Sequence, residues 1–487
     1  MRVPRLYVHV IATLIAGLAL RLFFIWRFPF ASGDTPYYEE LARNWLYHGG
    51  YGFYSSNILV ASDARVPGYP AFLALIYWFA GPSRTAVSIV QAIVDLGTCV
   101  LSAMLAARLA YRASERARQR VVIATLWLAV LCPFVANYTA VPLTEVLATF
   151  LTTLAILIFV QPSAFRFDFT SQKKEILRSV RTWFLGGFVI GLATLVRPES
   201  PLLLAAVVLV YGLRWWRPIY WRRLALATLW ICVGLVVPLV PWAARNARVL
   251  GRAQFLAPRY AETYGVIMPT GFYAWTKTWM FRSRDAYLIM WKLPHAAIAF
   301  DDLPSYAFDS PQERNYVANL IERYNRERGM SALTDAEFAR LAYERSMRHP
   351  VRSYVWIPAE RVAAMWFTPR IAILPYSGKL WPIGDAWRNN AVDFSVTLGL
   401  GVLNFFYAGL ALFGLKHWRE SPGMAIIASF VVVRTVFLTQ LQTCEPRYVL
   451  ECIPAVIAVG AQVLRGRVSA PATSAATEET SAEFSTA

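Results

Sequence analysis

The sequence predicts an all-α polytopic membrane protein with about ten transmembrane helices, and three observations carry the prediction. Of its 487 residues 57% are hydrophobic and 16% charged, where a soluble domain carries roughly a quarter charged residues. Runs such as Leu6–Trp26, Leu224–Trp242 and Phe394–Leu415 are long enough, at about 1.5 Å per residue, to cross an apolar layer of roughly 30 Å as helices. Lipid offers exposed backbone amides no partner, so helix is the conformation these runs must take. Finally, the net charge of +18 is concentrated in alternate short loops. Arg112, Arg116, Arg118 and Arg120 form one, Lys173, Lys174, Arg178 and Arg181 a second, and Arg214, Arg217, Arg222 and Arg223 a third. This positive-inside pattern places those loops in the cytoplasm and removes nucleic acid as the reason for the basic charge.

The order of spans follows. Arg2 and Arg5 precede Leu6–Trp26, which lacks a small-residue cleavage site and reads as a retained anchor with its N-terminus inside. Arg84–Ala110 returns, leaving residues 27–83 outside. Val121–Ala136 and Leu143–Val160 make the next pair, then Trp183–Leu195 and Pro201–Leu213, and Leu224–Trp242 exits again. Phe394–Leu415, Gly423–Leu438 and Tyr448–Leu464 complete the set, with the C-terminus inside. The chain divides into an N-terminal transmembrane catalytic module (1–242), an extracytoplasmic and interfacial region (243–393), C-terminal transmembrane helices (394–467) and a disordered cytoplasmic tail (468–487) rich in Ala, Ser, Thr and Glu. Within 243–393, Ser310 with Glu313 and Thr334 with Glu337 form S/T-x-x-E capping boxes that start two amphipathic helices. Val351–Pro369, mixing Trp with Arg and Glu, suits a helix lying in the membrane interface.

Cys99, Cys132, Cys232, Cys444 and Cys452 are an odd set without CxxC spacing and read as buried thiols. His9, His48, His295, His349 and His417 are scattered, so no His-based metal site is expected and the sequence names no cofactor.

The first outer loop opens SGDTPYYEELARNWLYHGG. Pro36 fits a first helical position, which makes Thr35 the expected N-cap, and Gly49–Gly50 the stop. Tyr38, Leu41, Ala42 and Trp45 then share a face. Asp34 stands just before this helix, as a helix-start carboxylate or as a functional group. Arg65 and Tyr69 flank Pro67–Gly68 at the end of the same loop. Glu145, Arg197 with Glu199, Arg245, and Arg447 with Tyr448 fall at outer ends of other spans. Ionisable residues at membrane depth are costly, and snorkelling arginines are their ordinary explanation. Their common location on the outer face favours function. A sugar held on a membrane lipid by phosphate needs guanidinium groups for that phosphate and a carboxylate to activate the acceptor hydroxyl.

The ordered runs GLALRLFF, SGDTPYYEELARNWL, RVPGYPAF, GLATLVRPE, PWAARNARVLG and PRYVLECIP resemble family 39-like glycosyltransferases of the GT-C superfamily. That group includes protein O-mannosyltransferases and the lipid A aminoarabinose transferase. The resemblance covers most of residues 10–465, excluding the variable outer region and the tail. It implies a GT-C fold, a polyprenyl-phosphate sugar donor, inversion at the anomeric carbon and an extracytoplasmic glycan, lipid or protein acceptor at a cell (inner) membrane. It implies that Asp34 is the catalytic aspartate and Glu145 a second acidic residue. Arg65, Arg197 and Arg447 match basic positions near the donor phosphate, with Tyr69, Glu199, Arg245 and Tyr448 as further candidates to line the site. Many relatives follow the first aspartate with glutamate, where this chain has Thr35. An oligosaccharide polymerase or ligase is the nearest alternative. A flippase or transporter is the alternative outside the enzymes, although no internal repeat is visible.

Overall fold

A computed structural model describes residues 3–161, 172–258, 267–293 and 296–466. The expected tail, His295 and Arg2 lie outside the described residues. Among the described residues seven helices are long and apolar enough to cross a membrane: Leu6–Arg27, Arg84–Leu109, Lys173–Thr194, Trp221–Leu250, Ala391–Arg419, Pro422–Thr439 and Pro446–Arg465. An eighth span is broken. Glu115–Val130 and Pro133–Ala140 meet at a 44° bend because Pro133 has no N–H to give the preceding turn. Val121–Ala136, expected as one span, is therefore bent near its C-terminal end. Two shorter apolar helices, Glu145–Phe159 and Leu202–Arg214, match the remaining expected spans. The protein is a multi-pass, all-α membrane protein whose ten expected runs each correspond to a helix or a broken helix.

Several boundaries move. Lys173, Lys174, Arg178 and Arg181 sit on the opening turns of Lys173–Thr194 rather than in a loop. This helix crosses Trp221–Leu250 closely: a Cβ on Gly187 would run into the Ile231 carbonyl and one on Gly191 into that of Leu235. Small residues of this kind let helices approach where lipid provides no hydrophobic drive. The described residues of 3–242 and 394–466 also share one core, in which Leu105, Phe159, Trp183 and Ile231 pack with Met424, Phe430 and Cys452.

The first outer loop holds the helix Thr35–His48, a two-stranded hairpin and a helix Gly68–Ala80. Gly52–Ser55 pairs antiparallel with Ile58–Ala61 through Ser56–Asn57, both at positive φ. That is a two-residue type I′ connection, built here without glycine and hence unmarked in the sequence. Leu41 and Ala42 are fully buried as expected, whereas Trp45 is 40% exposed.

The outer region has its own core, with Phe272, Trp275, Trp279, Val317, Ile321 and Phe338 at its centre. Ser310 caps Pro311–Glu327 by accepting from Glu313 N. The second box is displaced. Ser331, three residues before Thr334, caps Ala332–Arg348, and Asp335 instead caps a neighbouring helix by accepting from Gly271 N and Phe272 N, both at 2.9 Å. Val351, Tyr354, Val355 and Trp356 are exposed apolar side chains.

Candidate active site

Four chain segments that follow or precede spans converge at one end of the helices. Arg84, at the start of a 26-residue span, is held by Glu39 of the first outer loop at 2.6 Å. The basic loop Arg112–Arg120 follows the other end of that span. The converging segments and the basic loops therefore lie at opposite ends of the bundle, roughly 40 Å apart at 1.5 Å per residue.

Thr35 was the expected cap of the first outer helix, and the structure places it one residue inside. Its hydroxyl accepts from Ser32 N at 3.1 Å and donates to the Pro142 carbonyl at 3.2 Å, tying the loop to the turn before Glu145. Asp34 takes the N-cap position but makes no side-chain cap bond. Its carboxylate instead meets Arg65 at 3.2 Å and Arg447 at 3.5 Å, with 25% of the side chain exposed. A carboxylate that leaves the helix N-terminus uncapped for two arginines and an open cleft is placed by something other than helix stability.

Glu145 begins a 15-residue helix, where unpaired N–H groups favour an anion. The broken span before it needs partners for its non-helical backbone, and the Gln91 amide supplies them to the Thr139 and Val141 carbonyls. Glu145 Oε1 faces Arg197 at 3.3 Å and Arg447 at 3.5 Å, while Oε2 is buried with no hydrogen-bond partner among the described residues. Arg197 and Glu199 sit in the turn between two spans, 2.8 Å apart. Burial pushes the Glu199 carboxyl up, and Arg197 with Arg434 overcome it and hold it at about 2, so this group carries no proton near neutrality.

The C-terminal segment 439–452 is fixed by three buried guanidinium groups. Arg361 donates to the Thr439 and Leu441 carbonyls, Arg370 to that of Pro446 at 2.7 Å, and Arg434 to that of Tyr448 at 3.1 Å. The segment thus presents Arg447 and Tyr448 to the cleft. Glu445 pairs with Arg447 at 2.7 Å, and Glu451 with Arg434 at 2.6 Å and with Arg197 at 3.4 Å. Glu445, Glu451 and Arg434 were not singled out from sequence. Two of them lie inside CEPRYVLECIP, and Arg434 is an isolated charge within an apolar run, a signal that was there to be used.

Asp34, Arg65, Glu145, Arg197, Glu199, Arg447 and Tyr448 all border one cleft of about 200 Å³, together with Tyr38. Asp34, Glu145 and Glu199 line it with Arg65, Arg197 and Arg447, and Glu445, Glu451 and Arg434 extend the same ion-pair network behind it, so the cations are already matched. Arg65 is the accessible one, with 35% of its side chain exposed against 11% for Arg197 and Arg447. Burial works against the Arg65 charge, but the Tyr38 hydroxyl and Asp34 more than offset it and hold its pKa above the ordinary value. Burial pushes the Tyr38 hydroxyl up to about 12, leaving it a hydrogen-bond donor. Among the described residues no three of His, Cys, Asp and Glu are grouped to hold a metal ion.

Two candidates stand elsewhere. Tyr69 is fully buried, its hydroxyl donating to Gln91 Oε1 at 2.8 Å, because Gly68 packs its backbone N–H onto the Leu195 carbonyl at 2.6 Å and turns the next side chain inward. Arg245 lies beyond the expected end of its span, on a helix that runs on to Leu250. It donates to the Tyr51 and Ser62 carbonyls and borders an apolar groove of about 510 Å³ shared with Pro67, Gly68, Leu195 and Trp242.

No family model matches the sequence, and no curated protein matches it. Among solved structures the chain is similar to the apo oligosaccharyltransferase of Archaeoglobus fulgidus, at 12% identity over 93% of this chain and 50% of that one, with a TM-score of 0.46. It is also similar to ArnT from Cupriavidus metallidurans, at 14% identity over 93% of this chain and 77% of that one in the apo state (TM-score 0.42). The undecaprenyl phosphate-bound form gives 13% identity with the same coverage (TM-score 0.39). The chain spans about half the length of the archaeal enzyme.

Proposed function

We propose that the chain is a GT-C-type glycosyltransferase that moves a sugar from a polyprenyl-phosphate donor to an extracytoplasmic glycan, lipid or protein, with inversion. The observation that carries this reading is the Asp34 carboxylate, partly open to the cleft between Arg65 and Arg447. Asp34 takes the proton of the acceptor hydroxyl as the acceptor oxygen bonds to the anomeric carbon. The bond from that carbon to the phosphate oxygen breaks on the opposite side, and the guanidinium groups receive the departing lipid phosphate. Arg65 meets the phosphate first; Arg197 and Arg447 join by exchanging carboxylate partners for phosphate oxygens. The apolar groove that Arg245 borders, lined also by Pro67 and Gly68 of the same loop as Arg65, suits the prenyl chain. Purified protein given a labelled polyprenyl-phosphate sugar should release it or pass it on. A flippase would return the donor intact, whereas a polymerase or ligase would require a diphosphate-linked oligosaccharide. Mass spectrometry of envelope glycans with and without the gene identifies the sugar and acceptor.

The same reading puts the cleft outside the inner membrane and both termini in the cytoplasm. Cysteines introduced at Ser55 and Asn315, both exposed, should react with an impermeant thiol reagent in intact cells, and one at Arg116 should not. Four of the five native cysteines are buried, which keeps the background low. Labelling at Arg116 alone would invert the orientation.

A further inference from the structure

Beyond Asp34 the cleft meets a second cavity. A recess of about 460 Å³ is bordered by Asp34, Tyr37, Tyr273, Trp291, Gln442 and Thr443 among others, within the range of about 300–1,000 Å³ usual for small-molecule sites. It shares only Asp34 with the cationic cleft. We propose that this recess binds a neutral pyranose of the acceptor, so that the acceptor of this chain is a carbohydrate. The proposal rests on the transferase reading and specifies the substrate class for it.

The lining is the argument. Three aromatic side chains contribute, of which Tyr37 and Trp291 are 51% and 40% exposed. Their electron-rich faces attract the polarised C–H groups on the flat side of a sugar ring. The Trp291 indole is set before any ligand arrives. On one side its ring stacks with Tyr287 at 5.1 Å and 27°, and on another it lies over Gly33, where an added Cβ would come within 3.4 Å. A ring already held in place loses little freedom on binding. Gln442 is half-buried, and its side-chain amide has no protein partner among the described residues. With the Thr443 hydroxyl it offers the neutral donors and acceptors that sugar hydroxyls need. Among the described residues Asp34 is the only charged one in the lining, and none of them offers a cation to a phosphorylated headgroup. The placement also fits inversion. A hydroxyl held in the recess reaches Asp34 from a cavity other than the one that receives the phosphate, as displacement with the leaving group opposite requires.

Saturation-transfer NMR in detergent with methyl pyranosides of glucose, mannose and galactose tests this without donor or turnover. At least one should receive magnetisation on its ring C–H protons, and the signal should fall several-fold in Trp291→Ala and in Gln442→Leu while persisting in Trp291→Phe and Arg65→Gln. In parallel, Trp291→Ala should raise the Michaelis constant for the acceptor and leave that for the lipid donor unchanged. No transfer to any pyranoside, or an equal signal in both recess variants, would overturn the proposal, as would a response confined to short peptides. Pyranoside binding lost in Trp291→Ala, in a protein that never consumes a lipid-phosphate sugar, would keep the recess and remove the transferase reading. Donor turnover with an acceptor constant indifferent to Trp291→Ala would do the reverse.

Discussion

Two of the arginine–carboxylate clusters among the described residues differ in what they enclose. In the outer region Asp309 meets Arg352 at 2.6 Å and Arg345 at 3.2 Å, and Arg345 also pairs with Glu313. Arg345 is fully buried, with Asp309 and Glu313 at 7% and 6% exposure. Each charge closes on another, and the product is a joint between the helices Pro311–Glu327 and Ala332–Arg348. In the cleft the same residue types surround a cavity, and Asp34 keeps a quarter of its side chain exposed. Buried ion pairing is therefore common to a structural joint and a candidate active site. The void and the reachable oxygen distinguish the second.

Asp34→Asn should separate the two clusters most strongly. Asn keeps the size but cannot accept the acceptor's proton, so turnover should fall by about 10²–10⁴. Because Asp34 makes no cap bond, helix stability should be untouched; turnover and thermal unfolding in detergent separate the two. Near-normal turnover in a stable variant would move the base to Glu145, whose Oε2 lacks a partner.

Arg345→Met should do the opposite. Removing one member of a buried ion pair costs about 3–5 kcal/mol, because the others stay buried without it. The variant should unfold at a markedly lower temperature, while the surviving folded protein keeps its donor kinetics. The pH dependence has a defined sign. Burial raises the Asp309 carboxyl, but Arg352 and Arg345 bring it below its ordinary value. Its stabilisation is thus complete above the unfolded value of about 4 and is lost only as pH falls through the lower folded value. Thermal stability should be flat in this term across neutrality and drop in acid. A loss of turnover without a loss of stability in Arg345→Met would show that the two clusters are coupled.

Arg65→Gln is the next smaller effect. Charge-assisted bonds to phosphate contribute about 1.5–3 kcal/mol, or roughly 10- to 100-fold in the donor Michaelis constant. Lysine should restore part of it, lacking the planar fork. Arg197 is a poorer probe, since it holds Glu145, Glu199 and Glu451 together and its loss would collapse the cleft. An unchanged donor constant in Arg65→Gln would leave no accessible cation for the phosphate.

The spans were legible because length and apolarity suffice to define them. Much of the cleft was legible because charges at the ends of apolar runs are rare enough to notice. What sequence could not supply was direction. The bend at Pro133 and the shared segment 439–452 depend on partners distant in the chain, namely Gln91, Arg361, Arg370 and Arg434. Arg245 stands near the cleft residues in topology, yet its helix overruns the expected end and carries it to another groove. Capping rules located the starts of helices to within one to three residues. They could not say that Asp34, in the cap position, would turn its carboxylate away.

Tyr69→Phe should give the smallest effect, and it tests the direction of a single side chain. The residue follows Arg65 by four positions, close enough in sequence to read as lining the cleft. In the structure the ring is fully buried between Tyr38, edge-on at 5.2 Å, and Phe72 at 5.9 Å. Its hydroxyl serves Gln91, whose amide in turn holds the Thr139 and Val141 carbonyls before Glu145. Phe preserves the ring packing and removes one hydrogen bond, leaving Gln91 Oε1 without its donor. An intramolecular hydrogen bond contributes about 0.5–1.5 kcal/mol, and a buried acceptor left unpaired costs about 1–3 kcal/mol. The variant should therefore unfold slightly earlier, with donor and acceptor constants unchanged and turnover within about twofold, since roughly 0.4 kcal/mol corresponds to that factor. A tenfold loss of turnover at nearly unchanged stability would mean that the hydroxyl reaches the cleft during reaction. The helix Gly68–Ala80 would then have to rotate away from Leu195, and Tyr69 would belong with Asp34 rather than with the scaffold beneath it.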